Sequence, residues 1–224
     1  CIKQDLDAHY ELVSDVDASA TSGWNDGEGF EPIAVSGGNS FSGTLDGNNK
    51  NISGLYISER RFLDPGAGMF GNVDKSGRIH DLSLTDVDIV HKKQWAYGGT
   101  VGSLAMDNRG TIRNVSVSGN VTTNEKTIVV GGLVGTNIDE GTIAQSRVSG
   151  NVTGGSVYLG GLVGNNRGTI TQSGVSGNVT GRSRVGGLVG PNEDTVTQSG
   201  GSGKVTGGDE VGGRPVAVVF EFRA

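Results

Sequence analysis

The chain of 224 residues is poor in most of the parts a compact enzyme is built from. It has one cysteine, four prolines and three histidines, and aromatic residues make up 5%. One cysteine excludes an internal disulfide framework. Cys1 stands at the very start, where it reads either as a lipid-modified mature terminus or as a small apolar residue of an entry segment. So few rings exclude a core of large aromatics. Four prolines and no Gly-X-Y period exclude Pro-rich disorder and collagen. No apolar run approaches the roughly 18–20 residues of a membrane-spanning helix. Net charge is -6, from 24 acidic and 18 basic residues that are evenly scattered. A nucleic-acid partner needs a concentrated basic face, so none is expected. No export signal is visible and the sequence begins with Cys rather than Met, so its first residues are expected to have been cut from a longer protein.

What the chain has is glycine, 41 of 224 residues, against a usual share of about 7%. With Val, Thr, Ser and Asn it disfavours helix. Val and Thr suit strands, and Gly and Asn turn the corners between them. The glycines are also periodic. Val130-Gly-Gly-Leu-Val-Gly135, Leu159-Gly-Gly-Leu-Val-Gly164 and Val185-Gly-Gly-Leu-Val-Gly190 start 29 and 26 residues apart. A unit of that size cannot bury its own apolar face, so the period implies a stacked array. Looser versions stand at Gly68-Met-Phe-Gly71 and Gly98-Gly-Thr-Val-Gly102.

A second pattern runs through the chain as Ile52/Leu55/Ile57, Ile79/Leu82/Leu84, Ile112/Val115/Val117, Ile143/Ser146/Val148, Ile170/Ser173/Val175 and Val196/Ser199/Gly201. The sequence thus predicts an all-β fold, a β-solenoid (β-helix) of about six coils of 26–33 residues. Residues one period apart then lie about 4.8 Å apart. Ile52, Ile79, Ile112, Ile143, Ile170 and Val196 are expected to form one inward column. Val121, Val152, Val179 and Val205 form a second, and Leu133, Leu162 and Leu188 a third. Residues 1–40 read as a capping segment, with Trp24 and Phe30 plugging the first layer. Residues 41–210 form the repeats. Residues 211–224, in which Val216, Val218, Phe220 and Phe222 alternate, read as a degenerate terminal coil or cap.

The Gly-Gly-Leu-Val-Gly units, with the lead-in Phe41-Ser-Gly-Thr-Leu-Asp-Gly47 and Ile52-Ser-Gly-Leu-Tyr-Ile57, resemble the GLUG repeat family over roughly residues 41–210. That family occurs in large bacterial and archaeal surface proteins, including adhesins and regions flanking secreted IgA-cleaving metallopeptidases. The resemblance implies a right-handed β-solenoid in an exported protein, placed outside the cell or on its surface. It does not imply peptidase activity. A zinc peptidase needs His-Glu-x-x-His on a helix, and His9, His80 and His91 have no partner at that spacing.

Asp15/Asp17 and Asp86/Asp88 are Asp-x-Asp pairs. On a strand such a pair shares a face and can hold Ca²⁺ or serve as a carbohydrate-cleaving carboxylate pair. The plainer reading is a solvated strand edge. Asp86 and Asp88 are the metal candidates, with calcium the ion they suit; no other cofactor is implied. Asp46-Gly-Asn-Asn49 reads as a turn. Asn137, Asn166 and Asn192 recur at one corner and read as a structural amide stack. Thr122, Thr153, Thr180 and Thr206 form an outward file, the arrangement an ice-binding face would extend. Asn51, Asn114, Asn120, Asn151 and Asn178 each open an Asn-x-Ser/Thr sequon, a by-product of the repeat.

Extra length at Arg60–Pro65, His91–Trp95 and Asn124–Thr127 predicts loops protruding from single coils. Two of them combine basic and aromatic residues: Arg60, Arg61 and Phe62, and Lys92, Lys93, Trp95 and Tyr97. Such loops on a rigid scaffold suit contact with a surface polysaccharide or a host or neighbouring cell-surface protein. The expected function is a non-catalytic stalk or adhesive module, with a carbohydrate-active β-helix enzyme as alternative and an ice-binding face as a weaker one.

Overall fold

A computed structural model describes residues 2–35, 39–58, 66–91, 98–124, 127–155 and 157–207. The chain winds as a β-solenoid in which every strand pairing between coils is parallel. Three short 3₁₀ turns are the helical elements among the described residues, all before Glu28.

Each coil visits three sheets. A short strand (Gly66–Ala67, Thr100–Val101, Val129–Gly131, Tyr158–Gly160, Val185–Gly186) is followed by a second (Phe70–Val73, Ala105–Asn108, Val134–Asn137, Val163–Asn166). A long excursion across a wide sheet follows, unbroken in Arg78–His91 and Thr111–Thr123 and divided into shorter strands in later coils. Five coils visit all three faces; in the last, Val189 and Asn192 supply the second face through single bridges to Val163 and Asn166. Ahead of them, Thr44–Ser53 forms a first layer on the wide sheet. His9–Glu11 and Val16–Asp17 lie over it in parallel register. The segment ahead of the repeats therefore adds two strands of its own to the wide sheet.

The core is built of stacked columns of aliphatic side chains, one at each inward position of the coil, among them Leu84–Val117–Val148–Val175 and Val101–Val130–Leu159. Val121, Val152, Val179 and Val205 stack in register. Leu133 donates its N–H to Leu162 O, and Leu162 to Leu188 O, carrying the leucine column through the Gly-Gly-Leu-Val-Gly corners. Each buried aliphatic contributes about 1.5–3 kcal/mol relative to exposure. The glycines exist because the two narrow sheets close tightly. A Cβ on Gly132 would lie 2.2 Å from Gly161 O and 2.9 Å from Val148 Cγ1, so the corner and the wide sheet leave it no room.

One expected column is wrong at its first member. Ile79, Ile112, Ile143, Ile170 and Val196 stack, but Leu45 lies beneath Ile79, and Ile52 pairs with Leu84. The wide sheet repeats its own spacing: Ile79-x-x-Leu-x-Leu84 continues as Leu84-x-x-Val-x-Ile89, so either half matches Ile52/Leu55/Ile57. Pairing of Ile57 with Ile89 settles the register.

The plug is also different. Phe30 is partly buried and packs against the core, but Trp24 is 50% exposed in a loop whose backbone groups bond among Ala18–Gly29. Phe41 and Phe70, fully buried with ring centroids 4.9 Å apart, fill the first layers instead. Of the loop expected at His91–Trp95 only His91 is among the described residues: it ends a strand, is 2% exposed, and its Nδ1 lies 2.8 Å from Oγ1 of the buried Thr127.

Candidate functional site

At one corner of the wide sheet each coil places a residue in left-handed conformation: Asp81, Asn114, Gln145, Gln172 and Gln198, with φ between 49° and 54°. Such a residue breaks the pleat and removes a ladder bond. Serine replaces that bond in the later coils. Ser146 Oγ accepts from Val115 N–H at 3.2 Å, Ser173 Oγ from Ser146 N–H at 3.2 Å, and Ser199 Oγ from Ser173 N–H at 3.0 Å.

The first layers carry charge at this corner. Glu11, Asp46, His80 and Arg113 follow one another in a single file. His80 Nδ1 lies 2.8 Å from Asp81 Oδ2 and 3.5 Å from Asp46 Oδ1. Asn114 Nδ2 donates to Asp81 Oδ1 at 2.6 Å, and the Arg113 guanidinium is 3.7 Å from Asp81 Oδ2. The Asn114 hydrogen bond, then the one with His80, hold the Asp81 carboxyl below its ordinary range. Asp46 Oδ1 accepts Asn48 N–H at 2.7 Å, and Asn48 Nδ2 donates to Glu11 Oε1 at 2.8 Å. Asn48 and Asn49 are both left-handed and belong to an insertion that shifts register between Asp46 and Lys50. Asp46-Gly-Asn-Asn49 is thus a turn, as its composition suggests, and it also positions a carboxylate against the imidazole. Reading the histidines only for a helical zinc motif missed this cluster. The signal was a Glu, an Asp, a His and an Arg one coil apart, visible only once the register was known.

The Asp-x-Asp pairs are placed differently. Asp15 Oδ1 accepts Asn51 N–H, and Asp17 Oδ1 accepts Ser19 N–H, both at 2.9 Å. Its bonds with Ser19 hold Asp17 below its usual range. Asp86 and Asp88 are exposed, Asp86 in left-handed conformation and Asp88 between Tyr56 and Asn120. Among the described residues no third His, Cys, Asp or Glu completes a ligand group with them. Arg60, Arg61, Lys92, Lys93, Trp95 and Tyr97 lie outside the described residues, as do Cys1 and 211–224.

The asparagine stack is longer than its sequence signature. Asn108 donates to Asn137 Oδ1 and Asn137 to Asn166 Oδ1, each at 2.8 Å, and Asn166 to Asn192 Oδ1 at 2.7 Å. The sequon asparagines are likewise tied between coils: Asn51 to Thr85, Asn114 to Asp81, Asn151 to Asn120, and Asn178 to the backbone N–H of Lys204. The threonine file is in register but single, flanked by that asparagine file. Asp107 lies between Asn72 and Thr136 on the second sheet. Burial pushes its carboxyl upward, partly offset by the Thr136 hydrogen bond and by Arg109.

No protein-family model matches the chain. It is similar to halomucin of Haloquadratum walsbyi, 36% identical over 186 residues, covering 70% of this chain and 2% of the relative. It is also similar to a protein of Evansella cellulosilytica provisionally named a Gly-rich membrane protein. There identity is 38% over 109 residues, 49% of this chain and 12% of the relative. The chain thus spans a small fraction of both curated relatives. Among solved structures, a Bacteroides ovatus protein provisionally named an immunoglobulin A1 protease superposes with a TM-score of 0.61 at 19% identity, over 88% of this chain and 61% of that one. At that identity the likeness shows the fold alone.

Proposed function

We propose that this chain is a non-catalytic β-solenoid segment of a larger extracellular surface protein, serving as a stalk or adhesive module of the GLUG-repeat type. Its curated relatives are far longer, and one is named a membrane protein. The observation that carries the reading is the outward surface of the wide sheet. Serine, asparagine and threonine files run along it in register: Ser118 over Ser149, Asn120 over Asn151, Thr122 over Thr153 over Thr180 over Thr206. A rigid surface that repeats its polar groups about every 4.8 Å suits a linear, repeating partner such as a surface polysaccharide.

A screen of the chain against immobilised surface polysaccharides, scoring both retention and released sugar, tests the reading. Retention without release supports the adhesive module. Release of sugar makes the chain a carbohydrate-active enzyme and overturns it. Neither retention nor release leaves the stalk role alone.

A further inference from the structure

Asp46, His80 and Asp81 bring one imidazole nitrogen and two carboxylate oxygens within 4.8 Å of one another. Nothing in the construction of the solenoid requires them there. The repeats provide their own comparison. In the file of His80 and Arg113, later coils hold Ala144, Thr171 and Thr197. The left-handed residues that follow are Gln145, Gln172 and Gln198. The corner therefore closes with neutral residues, and the donors of the first layers are an addition to it.

We propose that Asp46, His80 and Asp81 form a divalent transition-metal site that pins the first layer of the solenoid to the second. The separations fit the geometry of such an ion. Adjacent ligand atoms lie about 3.0 Å apart around an octahedral ion with bonds of about 2.1 Å, and about 3.4 Å apart around tetrahedral zinc. Here Nδ1 is 2.8 Å from one carboxylate and 3.5 Å from the other, before any ion draws them in. An ion on Nδ1 takes the place of the hydrogen bond between Nδ1 and Asp81, and the neutral imidazole that binds it carries its one proton on Nε2.

The donor set selects the class of metal. One imidazole and two carboxylates suit zinc, nickel, cobalt or manganese, whereas calcium takes six to eight oxygens. All three side chains are 24–40% exposed, so water completes the coordination shell and an ion has access. Asn114 holds Asp81 from its far oxygen, and the Asn48 backbone holds Asp46, so two of the three ligands are already oriented. Arg113, itself half-exposed and 3.7 Å from Asp81, is the resident cation that an ion displaces.

The test is calorimetric titration with zinc chloride and with nickel chloride, in a Cys1→Ser chain so that the thiol is no alternative ligand. One ion per chain is expected, with a rise in Tm. His80→Ala and Asp81→Asn should each weaken binding at least tenfold, and Arg113→Ala should tighten it. Calcium chloride should give no comparable heat. Absence of binding, one-to-one binding that His80→Ala leaves unchanged, or a preference for calcium overturns the site. If His80→Ala does not fold by circular dichroism, Asp46→Asn and Arg113→Ala carry the same test with opposite expected signs. The polysaccharide screen is independent of all these outcomes.

Discussion

The side-chain amide of Asn137 donates to the side-chain carbonyl of Asn166 at 2.8 Å, and neither residue has any exposed surface. Asn137 also donates to Gly141 O at 3.0 Å and accepts from Asn108. The stack therefore couples each coil to the next at the corner where the second sheet ends. Asn137→Ala removes three of these bonds, at about 1 kcal/mol each. Loss of about 3 kcal/mol in chemical denaturation is expected, with no change of fold by circular dichroism. A variant as stable as the parent chain would show that the stack is not stabilising.

The Gly-Gly-Leu-Val-Gly corners make a steric prediction. In Gly132→Ala the new methyl meets the carbonyl of the next coil, so backbone must shift, at a cost of about 3 kcal/mol. Gly23→Ala is the control. A Cβ there meets nothing within 4 Å, and the change should stay within about 0.5 kcal/mol. Equal effects of the two substitutions would contradict the packing.

Asp107 makes the stability of the chain depend on pH. Burial raises its folded-state pKa, so the folded chain holds that proton more readily than the unfolded chain. Its favourable contribution is full below about pH 4 and is lost as pH rises through the folded-state value. Asp107→Asn should therefore be more stable than the parent at pH 7, and the gap should close as pH falls below 4. Denaturation midpoints of both chains across pH 3–8 measure this. A parent chain more stable than the variant at pH 7 would contradict the assignment.

The repeat, the stacked aliphatic core and the asparagine corner were readable because each recurs at the period of the fold. Asn137, Asn166 and Asn192 share one motif. Asn108 escaped notice because Ser103 and Met106 stand ahead of it where the later motifs have Gly132 and Gly135, although Gly110 follows it as Gly168 follows Asn166. Ser146, Ser173 and Ser199 stand in the repeat where earlier coils have Leu82 and Val115, and only the left-handed corner shows why they are serines: their hydroxyls replace a missing ladder bond. His80 and Asp81 belong to no repeated motif. Their meaning depended on which residue of the first layer lies beneath them. There the sequence misled, because the wide sheet repeats its own apolar spacing within one coil.

That register is the central claim, since it places Leu45 against Ile79, Asp46 against His80 and Ser53 against Thr85. Alignment of Ile52 with Ile79 would place Ser53 against His80 instead. Residues in register on neighbouring parallel strands lie about 4.8 Å apart, within reach of a disulfide. Five residues further along a strand the separation is roughly 16 Å, which is out of reach. The decisive measurement is oxidation of two double-cysteine chains, each also carrying Cys1→Ser. Ser53→Cys with Thr85→Cys should form an intramolecular disulfide in the native state, and Ser53→Cys with His80→Cys should not. The reverse outcome would contradict the register, and with it the corner on which the candidate site is built.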